Sequence, residues 1–175
     1  MRSATRVLRL LLLGLWLGAT IFFAAAVAPT LFGVLRGANL TSPNELAGAV
    51  VTRLLSIINH GGFEIGLFLI VTGYFTTRYE TRLRRLAEML SLAIMAIMTG
   101  IGQWVIMARM LALRAAIQVP IDQIGPDDSR RIAFAALHRY SVIAMGVAIV
   151  AGLVAFVIMA RPSDAVARRR ESASW

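Results

Sequence analysis

The sequence predicts an all-α protein, an integral membrane four-transmembrane-helix bundle with both ends of the chain in the cytoplasm. Three observations predict it. The chain has 175 residues of which 58% are hydrophobic, with a mean hydropathy of +0.74, beyond the usual range of a water-soluble domain. The apolar residues gather in four runs, each meeting the ~20 residues that a bilayer requires. All 18 basic residues are arginine, giving a formal charge of +9, and they cluster between the apolar runs as membrane topology demands. That clustering, without any nucleic-acid motif, argues against a nucleic-acid partner. Cys is absent, which removes disulfides, thiolate metal sites and cysteine nucleophiles together.

Span one follows Arg2, Arg6 and Arg9 and covers about residues 10–35. Ala26-Val27-Ala28 imitates a signal cleavage site, but the apolar run is too long for a signal core and Pro29 would follow the cut. Gly14 and Gly18 form a small-xxx-small pair expected to admit a neighbouring helix, and Pro29 is expected to kink the span near its far end. Ser42-Pro43-Asn44-Glu45 supplies an N-cap, a first-turn proline and a capping-box glutamate, so a helix begins near Pro43. Its membrane portion, span two, covers about 54–76, with Tyr74 and Tyr79 as interfacial anchors. Asn39-Leu40-Thr41 matches a glycosylation sequon too short to carry weight.

Arg78, Arg82, Arg84 and Arg85 mark a short basic turn. Span three, about 86–113, holds Met89, Met95, Met98, Met107 and Met110 at helical spacing, read as adaptable core filling. Gln103 and Arg109 interrupt it. Asp127, Asp128 and Ser129 cap span four, about 131–160, after a loop containing Pro120, Gly125 and Pro126. One domain thus covers residues 1–162, followed by a polar cytoplasmic tail over 163–175 that contains Arg168, Arg169 and Arg170.

Orientation follows from arginine. Three precede span one, four separate spans two and three, and four follow span four, against five in the other two connections (Arg36, Arg53, Arg114, Arg130, Arg131). This places both termini in the cytoplasm and the chain in the cell inner membrane, multi-pass. Counted from Arg53 and Arg131, His60 and His138 each lie roughly 10 Å below the outer surface, Arg109 roughly 7 to 8 Å deep, and Glu64 nearer the midplane. Ionisable groups inside a membrane are functional hypotheses by default. His60, Glu64, Arg109 and His138, joined by Asn59 and Ser141, are therefore expected to form one polar pocket opening outward between spans two, three and four. Arg109 would be the counter-charge to Glu64, the carboxyl its proton-exchanging group, and His60 and His138 a relay or the ligands of a metal. The competing reading is that Glu64–Arg109 and Asn59–His138 contacts only fix helix register.

Leu15-Trp16-Leu17-Gly18, Phe22-Phe23, Val27-Ala28-Pro29-Thr30-Leu31-Phe32 and the span-four opening Phe134 to Leu137-His138-Arg139-Tyr140-Ser141 resemble a family of small bacterial four-helix membrane proteins. It is a domain-of-unknown-function family similar to eukaryotic transmembrane protein two-zero-five. The resemblance implies the four-span fold and, through the eukaryotic members, an association with drug and metal-compound resistance. The family's Leu-His-x-x-Ser element resembles Leu137 to Ser141. Met145 stands where that pattern has Asn, and His60 lies outside it.

Three function classes follow. One is a transport or stress- and metal-resistance module using the outer-half pocket. Another is a cofactor protein ligating haem b or copper through His60 and His138. The third is an accessory subunit acting through helix packing, with a homo-oligomer or a larger membrane complex as partner besides the lipid bilayer. An enzyme is not expected, since no nucleophile elbow, HExxH or paired aspartates appear. Reporter fusions test the topology: Asn39 and Asp122 should report the outside and Arg82 the inside, and the reverse pattern would overturn it.

Overall fold

The computed structural model describes residues 2–38, 40–77, 80–117, 119–120, 123–125 and 127–161. Span one is α1 (Arg2–Phe22), a π-helical turn π1 (Phe23–Val27) and α2 (Ala28–Gly37). Span two is α3 (Pro43–Thr76); span three is α4 (Arg82–Gly100), π2 (Ile101–Met107) and α5 (Ala108–Ala116); span four is α6 (Ser129–Ala160). All four are long and apolar enough to cross a membrane, which makes this a multi-pass, all-helical protein. The sequon at Asn39, the anchor at Tyr79, Asp122, Pro126 and the 163–175 tail lie outside the described residues.

Each span packs on the next, and α6 returns to α1, closing an up-and-down bundle. Its centre is Leu13, Trp16, Leu17, Leu69, Leu92, Met95 and Ala148 to Met159 along one face of α6. Met89 and Met98 pack against this core and Met107 is buried, as expected of methionine filling irregular gaps.

The π turn in span one has a covalent cause. Pro29 lacks an N–H and its ring crowds the carbonyl four residues back. Widening the preceding turn removes the clash, and the Ala28 N–H bonds Phe23 O, five residues away. The expected kink is thus a π-bulge. Beyond it α2 packs on α3, while the α6 contacts of span one stay with α1.

The two ends of α6 are satisfied differently, one by its own cap and the other from neighbouring spans. Asp128 caps α6, accepting from Arg130 N at 2.8 Å. The Arg130 guanidinium also donates to it, at 2.8 and 3.0 Å, and these bonds hold the carboxyl down at about 2. At the other end, Arg6 donates to Met159 O (2.8 Å), Ala160 O (3.1 Å) and Arg161 O, and Arg84 to Ile158 O (2.9 Å). Two cations on the last carbonyls of α6 complement its dipole.

Close approach depends on glycines of α3. A Cβ at Gly62 would lie 2.6 Å from Trp16 Nε1 and 2.8 Å from Thr99 Cγ2, and one at Gly66 3.0 Å from Ala96 Cβ. The expectation for span one is met only in part. A Cβ at Gly14 would touch Phe156 at 3.3 Å, whereas Gly18 has nothing within 4 Å. Gly18 lies a further 400° round the helix and so turns out of the contact. The close interface is therefore Gly62, Gly66 and Gly73 on α3. Gly62→Ala should lower stability in detergent by about 1–3 kcal/mol through overpacking, with Gly18→Ala unchanged; equal melting temperatures for the two would refute this packing.

Candidate functional site

Three polar features lie inside the bundle. The first is a buried ion pair at the end where α1 begins. Arg9 and Glu88 are 4% and 3% exposed and meet at 2.5 Å. The same guanidinium donates to Leu69 O (3.1 Å) and Thr76 Oγ1 (3.2 Å), so Arg9 ties spans one, two and three together. Gly73 makes room for it, since a Cβ there would lie 2.7 Å from Arg9 Nη2. Sequence reasoning missed this pair, treating Arg9 as a flanking charge. The available signal was Glu88, the sole acid within span three.

The second is a polar cluster at mid-bundle. Gln103 Nε2 donates to Ser56 Oγ (3.1 Å), His60 Nδ1 lies 2.9 Å from Ser56 O, and the Trp104 ring stands edge-on to His60 at 5.5 Å. Asn59, 2% exposed, fits against Gly102, where a Cβ would come within 3.1 Å of Nδ2. Gln103 and Trp104 sit in π2, a helix type that recurs at functional sites.

The third is a vestibule at the opposite end, a cavity of about 270 Å³ lined by residues from all four spans. Its polar groups are Arg36, Asn44, Glu45, Thr52, Arg114 and His138; Phe32, Val51, Met110 and Phe134 form apolar walls. Arg114 pairs with Glu45 (2.6 Å) and lies over the Phe134 ring at 6.0 Å. Arg36 Nε donates to Asn44 Oδ1 (2.7 Å). The Arg114 Nε is buried and has no partner among the described residues. Ser42, the N-cap of α3, makes no side-chain capping bond. Divergence of α2 from α6 beyond the π-bulge opens this space.

Helix register separates the residues that the sequence grouped together. Residue 59 lies beside 102, 62 beside 99 and 66 beside 96. Glu64 is therefore level with residue 97 and Arg109 with residue 52, about 18 Å apart along the bundle at ~1.5 Å per residue. Both are exposed on its outer surface, and no ion pair joins them among the described residues. His138 shares the vestibule with Met110 and Thr52, about 12 Å nearer the bundle end than His60. The shared pocket, the Glu64–Arg109 pair and the Asn59–His138 contact therefore do not form. Ser141 is buried on α6. The reason lies in where depth was counted from. Counting from Arg53, Arg114 and Arg131 puts the three at one level, but Arg53 is level with Arg109, whereas Arg114 stands beside Glu45, eight residues nearer the start of α3.

The same register bears on haem b or copper. Imidazoles about 12 Å apart along the axis cannot ligate one copper ion or the two faces of one haem. No group of three or more His, Cys, Asp or Glu able to hold a metal occurs among the described residues. The donor set does not fit either cofactor.

Of these features the Arg9–Glu88 pair is the structural one. Removing one partner leaves a buried uncompensated charge, so Arg9→Met or Glu88→Leu alone should cost about 3–5 kcal/mol, and the double variant distinctly less than the sum. Additive losses in a detergent-unfolding cycle would show that the two do not act as a pair.

Comparison with known proteins bears on the first three spans. No curated protein and no solved structure matches the chain. One family model does match, over residues 11–118, a stretch that runs from α1 past the end of α5 and contains the Ser56 cluster, Glu88 and most of the vestibule wall. The chain belongs to the family described as domain of unknown function DUF4149.

Proposed function

We propose that this protein resides in the cell inner membrane with both termini in the cytoplasm and binds a solute bearing an anionic group and an apolar portion in its extracytoplasmic vestibule. It acts as a transport or stress-resistance module rather than as an enzyme. The arginine asymmetry supports the orientation: the connections at the Arg9–Glu88 end are richer in arginine than those at the vestibule end. The resistance element rests on the resemblance to transmembrane protein two-zero-five.

The vestibule lining carries the ligand class. Arg36 and Arg114 face it with one carboxylate, Glu45, between them, leaving one positive charge uncompensated without counting His138. The start of α3, where Ser42 makes no side-chain capping bond, adds the positive end of a helix dipole. Phe32, Val51, Met110 and Phe134 suit an alkyl or aromatic portion. An anionic amphiphile satisfies both halves. Below it, Thr52, Ser56 and Asn59 continue at helical spacing along α3 toward Gln103, a polar stripe leading from the mouth to mid-bundle.

Native mass spectrometry of the protein in neutral detergent tests this with dodecyl phosphate, dodecanol and dodecyltrimethylammonium. Dodecyl phosphate should be retained preferentially. Arg36→Gln should weaken its binding about tenfold or more, the value of a charge-assisted hydrogen bond. Equal retention of all three, or no effect of Arg36→Gln, would overturn the proposal.

A further inference from the structure

Among the described residues, Glu64 is the carboxylate within the membrane-spanning helices that has no partner. Glu45, Glu80 and Glu88 are each ion-paired, with Arg114, Arg84 and Arg9. Glu64 is exposed on the outside of α3 and makes no hydrogen bond or ion pair among the described residues. Its depth makes this costly. Arg53, Arg109 and Arg139 are exposed on α3, α5 and α6, Arg53 and Arg109 at one level and Arg139 close to it, a belt of cations suited to lipid phosphates. From Arg53 to the end of α3 at Thr76 is about 34 Å, close to the ~30 Å of a hydrocarbon core. Glu64 stands near the middle of that distance, about 17 Å from the belt, too far to snorkel. Around it the outer surfaces of the other spans are apolar: Leu15 is 73% exposed, Ile97 55% and Val150 61%.

We propose that the Gly61–Glu64 face of α3 docks against the same face of a second copy, so that two Glu64 carboxyl groups meet at the two-fold axis. Two copies inserted with the same topology are related by an axis along the membrane normal, which brings each residue opposite its own equivalent at equal depth. Among the described residues no other outward polar group stands at the depth of Glu64, so each Glu64 faces its equivalent. A carboxyl that holds a proton both donates and accepts, so one proton shared between the two groups satisfies the pair. Gly61 supplies the approach. It lies one turn from Glu64 with nothing within 4 Å of an added Cβ, and Ile57 and Phe68 extend the outward face on either side, 64% and 42% exposed. A small residue beside a polar one is the combination through which membrane helices associate. This inference does not depend on what the vestibule binds.

The absence of native cysteine allows a direct test by oxidative cross-linking in native membranes. Gly61→Cys should yield a disulfide-linked dimer, since a disulfide requires Cα atoms within ~7 Å, while Val150→Cys and Gly18→Cys should not. In the Gly61→Cys background, Glu64→Leu should lower the dimer yield about tenfold and Glu64→Gln should preserve it, because an amide still donates and accepts. Melting of each variant in detergent verifies the fold independently. A folded Gly61→Cys variant that stays monomeric, equal cross-linking at Val150→Cys, or an undiminished yield with Glu64→Leu would each overturn the proposal.

Discussion

The architecture hangs on one electrostatic constraint: an arginine and a glutamate buried together within helices that cross a membrane. Each ion alone would cost several kcal/mol to remove from water. Arg9 meets Glu88, and its remaining donors reach Leu69 O and Thr76 Oγ1. That geometry permits one relative height for spans one, two and three. In lipid no hydrophobic force selects a helix register, so a polar contact that tolerates no sliding sets it instead. Arg6 and Arg84 extend the constraint to span four by closing the carbonyl end of α6.

With one end fixed, small residues and helix irregularities shape the rest. Gly62 lies under the Trp16 ring, whose Nε1 donates to Ile58 O at 3.0 Å, so the centre of the bundle is tight. The π-bulge before Pro29 then directs α2 toward α3. The bundle is consequently closed at the ion-pair end and open at the other, and the opening is where Arg36, Arg114, Glu45 and His138 gather. A covalent property of one proline thus has a structural consequence about two turns away, at Arg36.

Charge is sorted into three settings by this arrangement. Inside, Arg9 and Glu88 are paired. In the vestibule, cations exceed anions. On the outer surface, arginines stand near one level and Glu64 stands below them. The family match over residues 11–118 includes Glu88, Glu64 and most of the vestibule wall, while Arg9, Phe134, His138 and Arg139 lie outside it.

Composition and apolar run length by themselves determined that this is a four-span helical membrane protein, because the cost of an unsatisfied backbone in lipid leaves few alternatives. Ser42-Pro43, Asp128 and Pro29 likewise announced a helix start, a cap and a distortion, all being local effects. The candidate site was only partly legible. Asn59 is buried and His138 lines the vestibule, but the grouping of His60, Glu64, Arg109 and His138 does not form, because Arg53, Arg114 and Arg131, from which depth was counted, do not stand at one level. The relative height of arginines on different helices is decided by how those helices pack. Tertiary structure alone could pair Arg9 with Glu88, turn Gly18 outward and Gly62 inward, and set Glu64 apart from Arg109, since each outcome is fixed by relations between helices that no single helix encodes.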